Sequence, residues 1–296
     1  MSATRTEQDS MGAMTVPADA LYGAQTARAL DNFPISGVRF SRPFIHALGM
    51  IKQQAALANN ALDLLDTERA EAIAKAAGEV MAGTLDDQFV LDIYQTGSGT
   101  STNMNMNEVI ANRAAQLLGE PIGGKAVHPN DHVNLGQSSN DVFPTAIHIA
   151  CVEQLHNHLL PALKGMEVHL RLKEEEFAEV LKIGRTHLQD ATPVLLGQVF
   201  NGYARQLELA QERLLTSGAG LAELALGGTA VGTGINTHPQ FAELAIAGIS
   251  EETGIAFREA EDHFEAQSAK DGLVMLSGAL KSCAVGLFKV ANDIRF

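Results

Sequence analysis

The chain has 296 residues, 46% of them apolar and 19% charged, with a formal net charge of -14 at pH 7. That length holds one large domain or two smaller ones around a sizeable core, and the acidic balance argues against nucleic acid as a partner. Two cysteines, Cys151 and Cys283, provide neither a disulfide framework nor a cysteine-rich metal site. No run of about 18 apolar residues exists to span a membrane. The polar opening MSATRTEQDS lacks a signal core or an arginine-rich presequence, so the expected compartment is cytoplasmic.

Beyond the first forty residues or so the chain reads as mainly helical. The first chemically dense segment is Thr96–Asn107, TGSGTSTNMNMN, in which two glycines let the backbone approach a ligand and hydroxyls and asparagines follow at once. It contains no lysine, which excludes a phosphate-cradling P-loop. The next is His128–Pro144, HPNDHVNLGQSSNDVFP, which carries amide, hydroxyl, imidazole and carboxylate groups almost without interruption. A solvated loop would look similar. Recurrence of such segments favours a lining for something polar, and neutral donors and acceptors suit a small anion.

From Val152 the positions Leu155, Leu159, Leu163, Met166 and Leu170 mark one helix face, which Pro161 is expected to kink. Lys182–Pro193, KIGRTHLQDATP, then sets Thr186 and His187 between an acidic helix (Lys173, Glu174, Glu175, Glu176) and a proline. This predicts a helix junction, with the next helix starting near Pro193 and running through Gln198, Tyr203, Leu207 and Leu214. The glycine-rich LALGGTAVGTG follows a helix and lacks the order of a dinucleotide fingerprint, so it reads as a turn packed near a site. Leu273, Leu276, Leu280, Cys283, Leu287, Val290 and Ile294 form a heptad seam. Over about 20 residues that seam is a rod of roughly 30 Å. Gly272, Gly278 and Gly286 interrupt it and would let neighbouring helices approach closely. No capping glycine or proline stops the pattern before Phe296, which predicts a chain ending inside a helix and hence a truncated one.

The three polar runs resemble those of the fumarase/aspartase superfamily and, within it, of the class II fumarate hydratases. So do the opening MGAMTVPADALYGAQTARALDNFPISG and the later LALGGTAVGTGIN, and the similarity extends over essentially the whole chain. The resemblance implies a mainly α fold, a fumarase/aspartase-like long-helix bundle truncated before the C-terminal domain. It implies an N-terminal, mostly helical domain over 1–137 and an incomplete central bundle domain over 138–296. The family's GSSxMPGKxNP loop is not present. A homotetramer with active sites shared between subunits is implied as well.

The implied chemistry is reversible hydration of fumarate to L-malate. Proton removal beside a carboxylate creates a doubly charged aci-carboxylate, which needs preorganised donors around it. Ser98, Thr100, Ser138, Ser139, Asn140 and Thr186 match the family's substrate-binding positions, and His187 its proton donor and acceptor at the water or departing hydroxyl. Lys125, His128, Asn130 and Asp131 correspond to a second, noncatalytic dicarboxylate site, with Lys125 where some members have arginine. Leu135 and Gly136 stand where a lysine and a serine are often found. No cofactor and no metal are expected. Two alternatives stay open: an aspartate ammonia-lyase, against which His187 in RTHLQDAT and the run QSSND argue, and a noncatalytic fragment. Little hydratase activity is expected of the 296 residues alone.

Overall fold

A computed structural model describes residues 3–124 and 126–296; Lys125, assigned above to a second dicarboxylate site, lies outside the described residues. Strands β1 (Thr4–Asp9) and β2 (Gly12–Pro17) open the chain, followed by helices α1 (Ala24–Asn32), α2 (Arg42–Ala61), α3 (Thr67–Met81) and α4 (Thr100–Leu117). A π turn, Pro129–Val133, leads to α5 (Ser139–Gln154), and a second π turn, Leu155–Leu159, leads to α6 (Leu160–Glu176). Strands β3 (Leu181–Thr186) and β4 (Gln189–Leu195) precede α7 (Leu196–Ala219) and the short β5 (Glu223–Leu224). The remainder is α8 (Phe241–Thr253), β6 (Arg258–Glu259), α9 (His263–Ser268) and α10 (Asp271–Arg295).

Two compact units result: the chain up to Ala150 with Ala222–Ala269, and Cys151–Leu221 with Lys270–Phe296. The boundary expected after residue 137 falls inside the first of these.

In the first unit, α2 and α3 pack along each other, joined by a short turn that Asp66 closes by accepting the Arg69 N–H at 3.0 Å. Apolar residues of α2 recur at helical spacing, and Phe44, Leu48, Ile51 and Ala55 are buried. Helix α4 lies against α3 and α1 and is buried on nearly every side. Its Glu108 substitutes for a local cap on α1, accepting the N–H groups of Gly23, Gln25 and Thr26 and the Thr26 hydroxyl. β1 and β2 form an antiparallel hairpin, and β5 pairs with β6 in parallel.

The second unit consists of α6, α7 and α10 with the β3–β4 hairpin. Its core includes Leu163, Leu170, Tyr203, Leu207, Leu214, Leu276, Cys283 and Val290. The expected seam of α10 is present, but only every seventh residue (Leu276, Cys283, Val290) is buried within the chain; Leu280 and Ile294 are exposed. Of the three glycines, Gly272 alone meets a close neighbour, where a Cβ would sit 2.9 Å from Leu221; Gly278 and Gly286 face open space. By length and composition alone α10 could cross a membrane. Its Tyr203–Asp293 hydrogen bond at 2.9 Å and its buried row are instead those of a helix in a packed bundle.

Two local expectations are corrected. The face predicted through Met166 turns inward at Glu167 instead, because the π turn ahead of Pro161 inserts an extra residue into the helical phase. Buried Glu167 is held by Lys164 and Gln211, both at 2.8 Å. Pro193 does not begin a helix: it lies in β4, opposite Ile183, and α7 starts at Leu196.

Candidate functional site

The first unit builds its polar surface at the beginnings of two helices. Asp92 anchors the loop before α4, accepting N–H bonds from Ser36 (2.5 Å), Gly37 (2.7 Å) and Tyr94 (2.8 Å). Gln95 then grips the first turn of α4 through Thr102, whose N–H and hydroxyl both bond its side chain. Gly99, with φ +73°, is the N-cap residue, and α4 starts directly over Phe143 of α5. Ser98 and Thr100 flank this glycine with their hydroxyls 2.9 Å apart, both on the surface.

Asn103 of α4 donates to Ser139 Oγ at 3.2 Å, so the N-termini of α4 and α5 stand side by side. Ser138, Ser139 and Asn140 occupy the second of them. Asp141, fully buried, fixes that end by accepting N–H bonds from Ser138 (2.8 Å), Gly227 (3.1 Å) and Thr229 (2.9 Å). Burial raises its pKa and these N–H groups pull it back. Asn140 donates to Ala230 O at 2.7 Å, which ties the glycine-rich segment to the same place, as expected of a turn packed near the site. A cavity of about 450 Å³ opens here, lined by Asn130, Asp131, Gly136, Ser138, Thr229 and Asn236 among others. Two helix N-termini bearing neutral hydroxyl and amide donors favour an anion without neutralising it permanently.

His128, Asn130 and Asp131 of the expected second site share one π turn. His128 caps it, its Nδ1 accepting the Asp131 N–H at 3.1 Å and lying 3.2 Å from the Asp131 carboxylate. Asn130 is exposed and reaches the cavity that Ser138 also lines. His132, behind them, accepts the His128 N–H at 2.9 Å; burial, with Arg69 next in weight, holds its pKa below the ordinary histidine range.

Thr186 and His187 are carried by the second unit, and not at a helix junction as the sequence predicts. Thr186 pairs with Gln189 across the β3–β4 hairpin, so His187 and Leu188 form a two-residue tip with φ of +50° and +64°. Two successive positive φ angles are those of a type I′ turn, which matches the twist of the strands but suits glycine and asparagine better than leucine. Arg185 and Asp190, one step below, lie 3.6 Å apart, and both tip side chains are exposed.

A buried lysine is not singled out by the sequence motifs. Lys52 of α2 is fully buried, and its Nζ donates to Asn134 Oδ1 and Gln137 Oε1, both at 2.9 Å. The signal was present, since Lys52 interrupts the apolar stripe of Leu48, Ile51 and Ala55 where a charge has no local reason to be.

Known proteins resemble this one closely. The class II fumarate hydratase of Halobacterium salinarum is 62% identical over 269 residues, covering 91% of this chain and 57% of that protein. That of Methylorubrum extorquens is 55% identical over 293 residues, covering 99% of this chain and 62% of its own length. The crystal structure of class II fumarase from Schistosoma mansoni superposes with a TM-score of 0.96 at 40% identity, over 98% of this chain and 64% of that one. A fumarate lyase:delta crystallin from Brucella melitensis, bound to cobalt, gives 0.93 at 44% identity, over 99% of this chain and 64% of that one. The chain therefore spans about three fifths of the length of these relatives and has their long-helix fold. Residues 12–296 match a protein family described as lyase, and the chain belongs to that family.

Proposed function

We propose that this chain is the greater part of a class II fumarate hydratase, which reversibly adds water to fumarate to give L-malate. The observation that supports the reading is the pairing of the α4 and α5 N-termini, where Asn103 of α4 donates to Ser139 of α5, with Ser98 and Thr100 at the first helix start and Ser138 and Asn140 at the second. It is joined by 51–62% identity to class II fumarate hydratases.

Hydroxyl and amide donors at a helix N-terminus bind a carboxylate in its ground state and bind it more strongly as negative charge grows on the aci-carboxylate. Thr186 completes the donor set, and His187 exchanges a proton with the water or hydroxyl at the neighbouring carbon, since an imidazole can both accept and donate a proton. His128, Asn130 and Asp131, with Lys125, form the second dicarboxylate site in this reading. Assembly is as a homotetramer whose subunits share active sites, in keeping with the exposed apolar side of α10, where Val285, Phe288 and Ile294 face outward. Such a protein works in the cytoplasm.

The test is a parallel assay of the 296-residue protein for loss of fumarate absorbance and for ammonia release from L-aspartate. It is run alone and mixed with the C-terminal segment of the Halobacterium salinarum relative. Little activity alone and hydration in the mixture is the expected result. Ammonia release would make the protein an aspartate ammonia-lyase, and silence in every arm would overturn the enzymatic reading.

A further inference from the structure

Lys52 is the one fully buried lysine among the described residues, and its only hydrogen-bond partners there are the side-chain oxygens of two amides. Each amide grips the turn that delivers Ser138. Gln137 Nε2 donates to the carbonyls of Val133 (3.1 Å) and Leu135 (3.2 Å), and Asn134 Nδ2 donates to Gln137 O (3.2 Å). Asn134 Oδ1 also accepts from Asn103, which in turn donates to Ser139 Oγ. Three hydrogen bonds therefore join Lys52 to a hydroxyl of the candidate site.

Two donors meet two acceptors, which is the requirement of a neutral amine; an ammonium has a third hydrogen to place. Burial draws the Lys52 pKa down to about 7, and Asp141 draws it partly back. Other charges on elements packed against α2 are engaged elsewhere or exposed. Glu79 of α3 pairs with Arg113 of α4, Arg69 of α3 pairs with Asp66 and bonds Ala126 O, Glu108 of α4 caps α1, and Asp131 of the π turn pairs with His128. His132 lies behind that turn, while Glu68, Glu71 and Lys75 of α3 and Glu243, Glu251 and Glu252 of α8 are exposed. Asp141 of α5 is the charge that acts on the amine.

We propose that Lys52 is the positioning residue of the substrate-binding run, clamping Ser138, Ser139 and Asn140 through Asn134 and Gln137, and that its amine takes up a proton from solvent when a dicarboxylate binds there. This rests on the proposed dicarboxylate site. A dianion over the two helix N-termini favours the ammonium beneath them, so binding and protonation reinforce each other by linkage.

The experiment is calorimetric titration of the 296-residue protein with succinate, an unreactive dicarboxylate, from pH 6 to 9 in buffers of differing ionisation enthalpy. Wild type is expected to take up close to one proton, and its Kd to rise as pH rises, by up to about tenfold per pH unit above the pKa of the free amine. Lys52→Met should lose both the uptake and the slope, with faster amide exchange over residues 134–140. Asn134→Asp places a carboxylate against the amine and should move the onset of that slope to higher pH, an effect that a purely architectural lysine would not produce. Unchanged uptake and slope in Lys52→Met, or an unmoved onset in Asn134→Asp, overturns the proposal and leaves the dicarboxylate site standing. No succinate binding by wild type at any pH overturns the site, and the proposal with it.

Discussion

Gly99 and Phe143 are in such close approach that a methyl group on the glycine would lie 2.1 Å from the phenyl Cδ2. The glycine also has a φ of +73°, which a side chain disfavours. Sequence, packing and function meet at this point, because the contact sets how near the two helix N-termini of the candidate site come together. Gly99→Ala should cost about 3 kcal/mol in urea unfolding. In the double variant with Phe143→Ala the cost should be clearly less than the sum of the two single changes.

The hairpin tip separates stability from chemistry. Asparagine tolerates positive φ, so His187→Asn should keep the hairpin and the unfolding midpoint while hydration in the reconstituted assay falls by about 10²–10⁴-fold. Leu188 is 70% exposed and gains little from burial. Leu188→Gly should therefore raise stability by about 1 kcal/mol through relief of the left-handed backbone. Retained turnover in His187→Asn would remove the imidazole from the proposed mechanism.

Asp92 gives a pH signature. Burial raises its pKa, but the N–H groups of Tyr94, Ser36 and Gly37 and the Ser36 hydroxyl outweigh this and hold the carboxyl at about 2. A depressed carboxylate stabilises the fold at pH above its unfolded value, near 3.8, and loses that contribution as pH falls towards 2. The stability gap between wild type and Asp92→Asn, followed by urea unfolding from pH 6 down to pH 2, should be constant at the upper end and close below about pH 4. A gap that persists to pH 2 would assign the effect to side-chain shape.

The heptad row of α10 discriminates between core and surface. Leu276→Ala removes a buried side chain and should cost about 2–5 kcal/mol. Phe288→Ser, at a 70% exposed position, should leave the unfolding of a single chain nearly unchanged. In the proposed tetramer that side of α10 is a subunit contact, and the same change should shift the assembly to smaller species in sedimentation velocity.

Much of this was legible from residue order alone, for identifiable reasons. The segments Thr96–Asn107 and His128–Pro144 stand out because long runs of polar groups with few apolar side chains rarely persist unless something uses them. The seam of α10 shows because its spacing survives three glycines. The β3–β4 hairpin was hidden: its tip is His187–Leu188 and not a glycine- or asparagine-bearing pair, and its largely exposed strands show no alternation of apolar and polar residues. Asp141 and Lys52 were harder still, since their partners are backbone N–H groups and amides tens of residues away.

A two-residue tip has no slack. The backbone under His187 has its torsions fixed by the register of Thr186 opposite Gln189. In a long flexible loop the same imidazole would have to be brought to order at every encounter with substrate, and that loss of freedom would be subtracted from binding each time. In this hairpin the disorder is surrendered once, when the chain folds, and the imidazole is held ready for the proton exchange proposed for it.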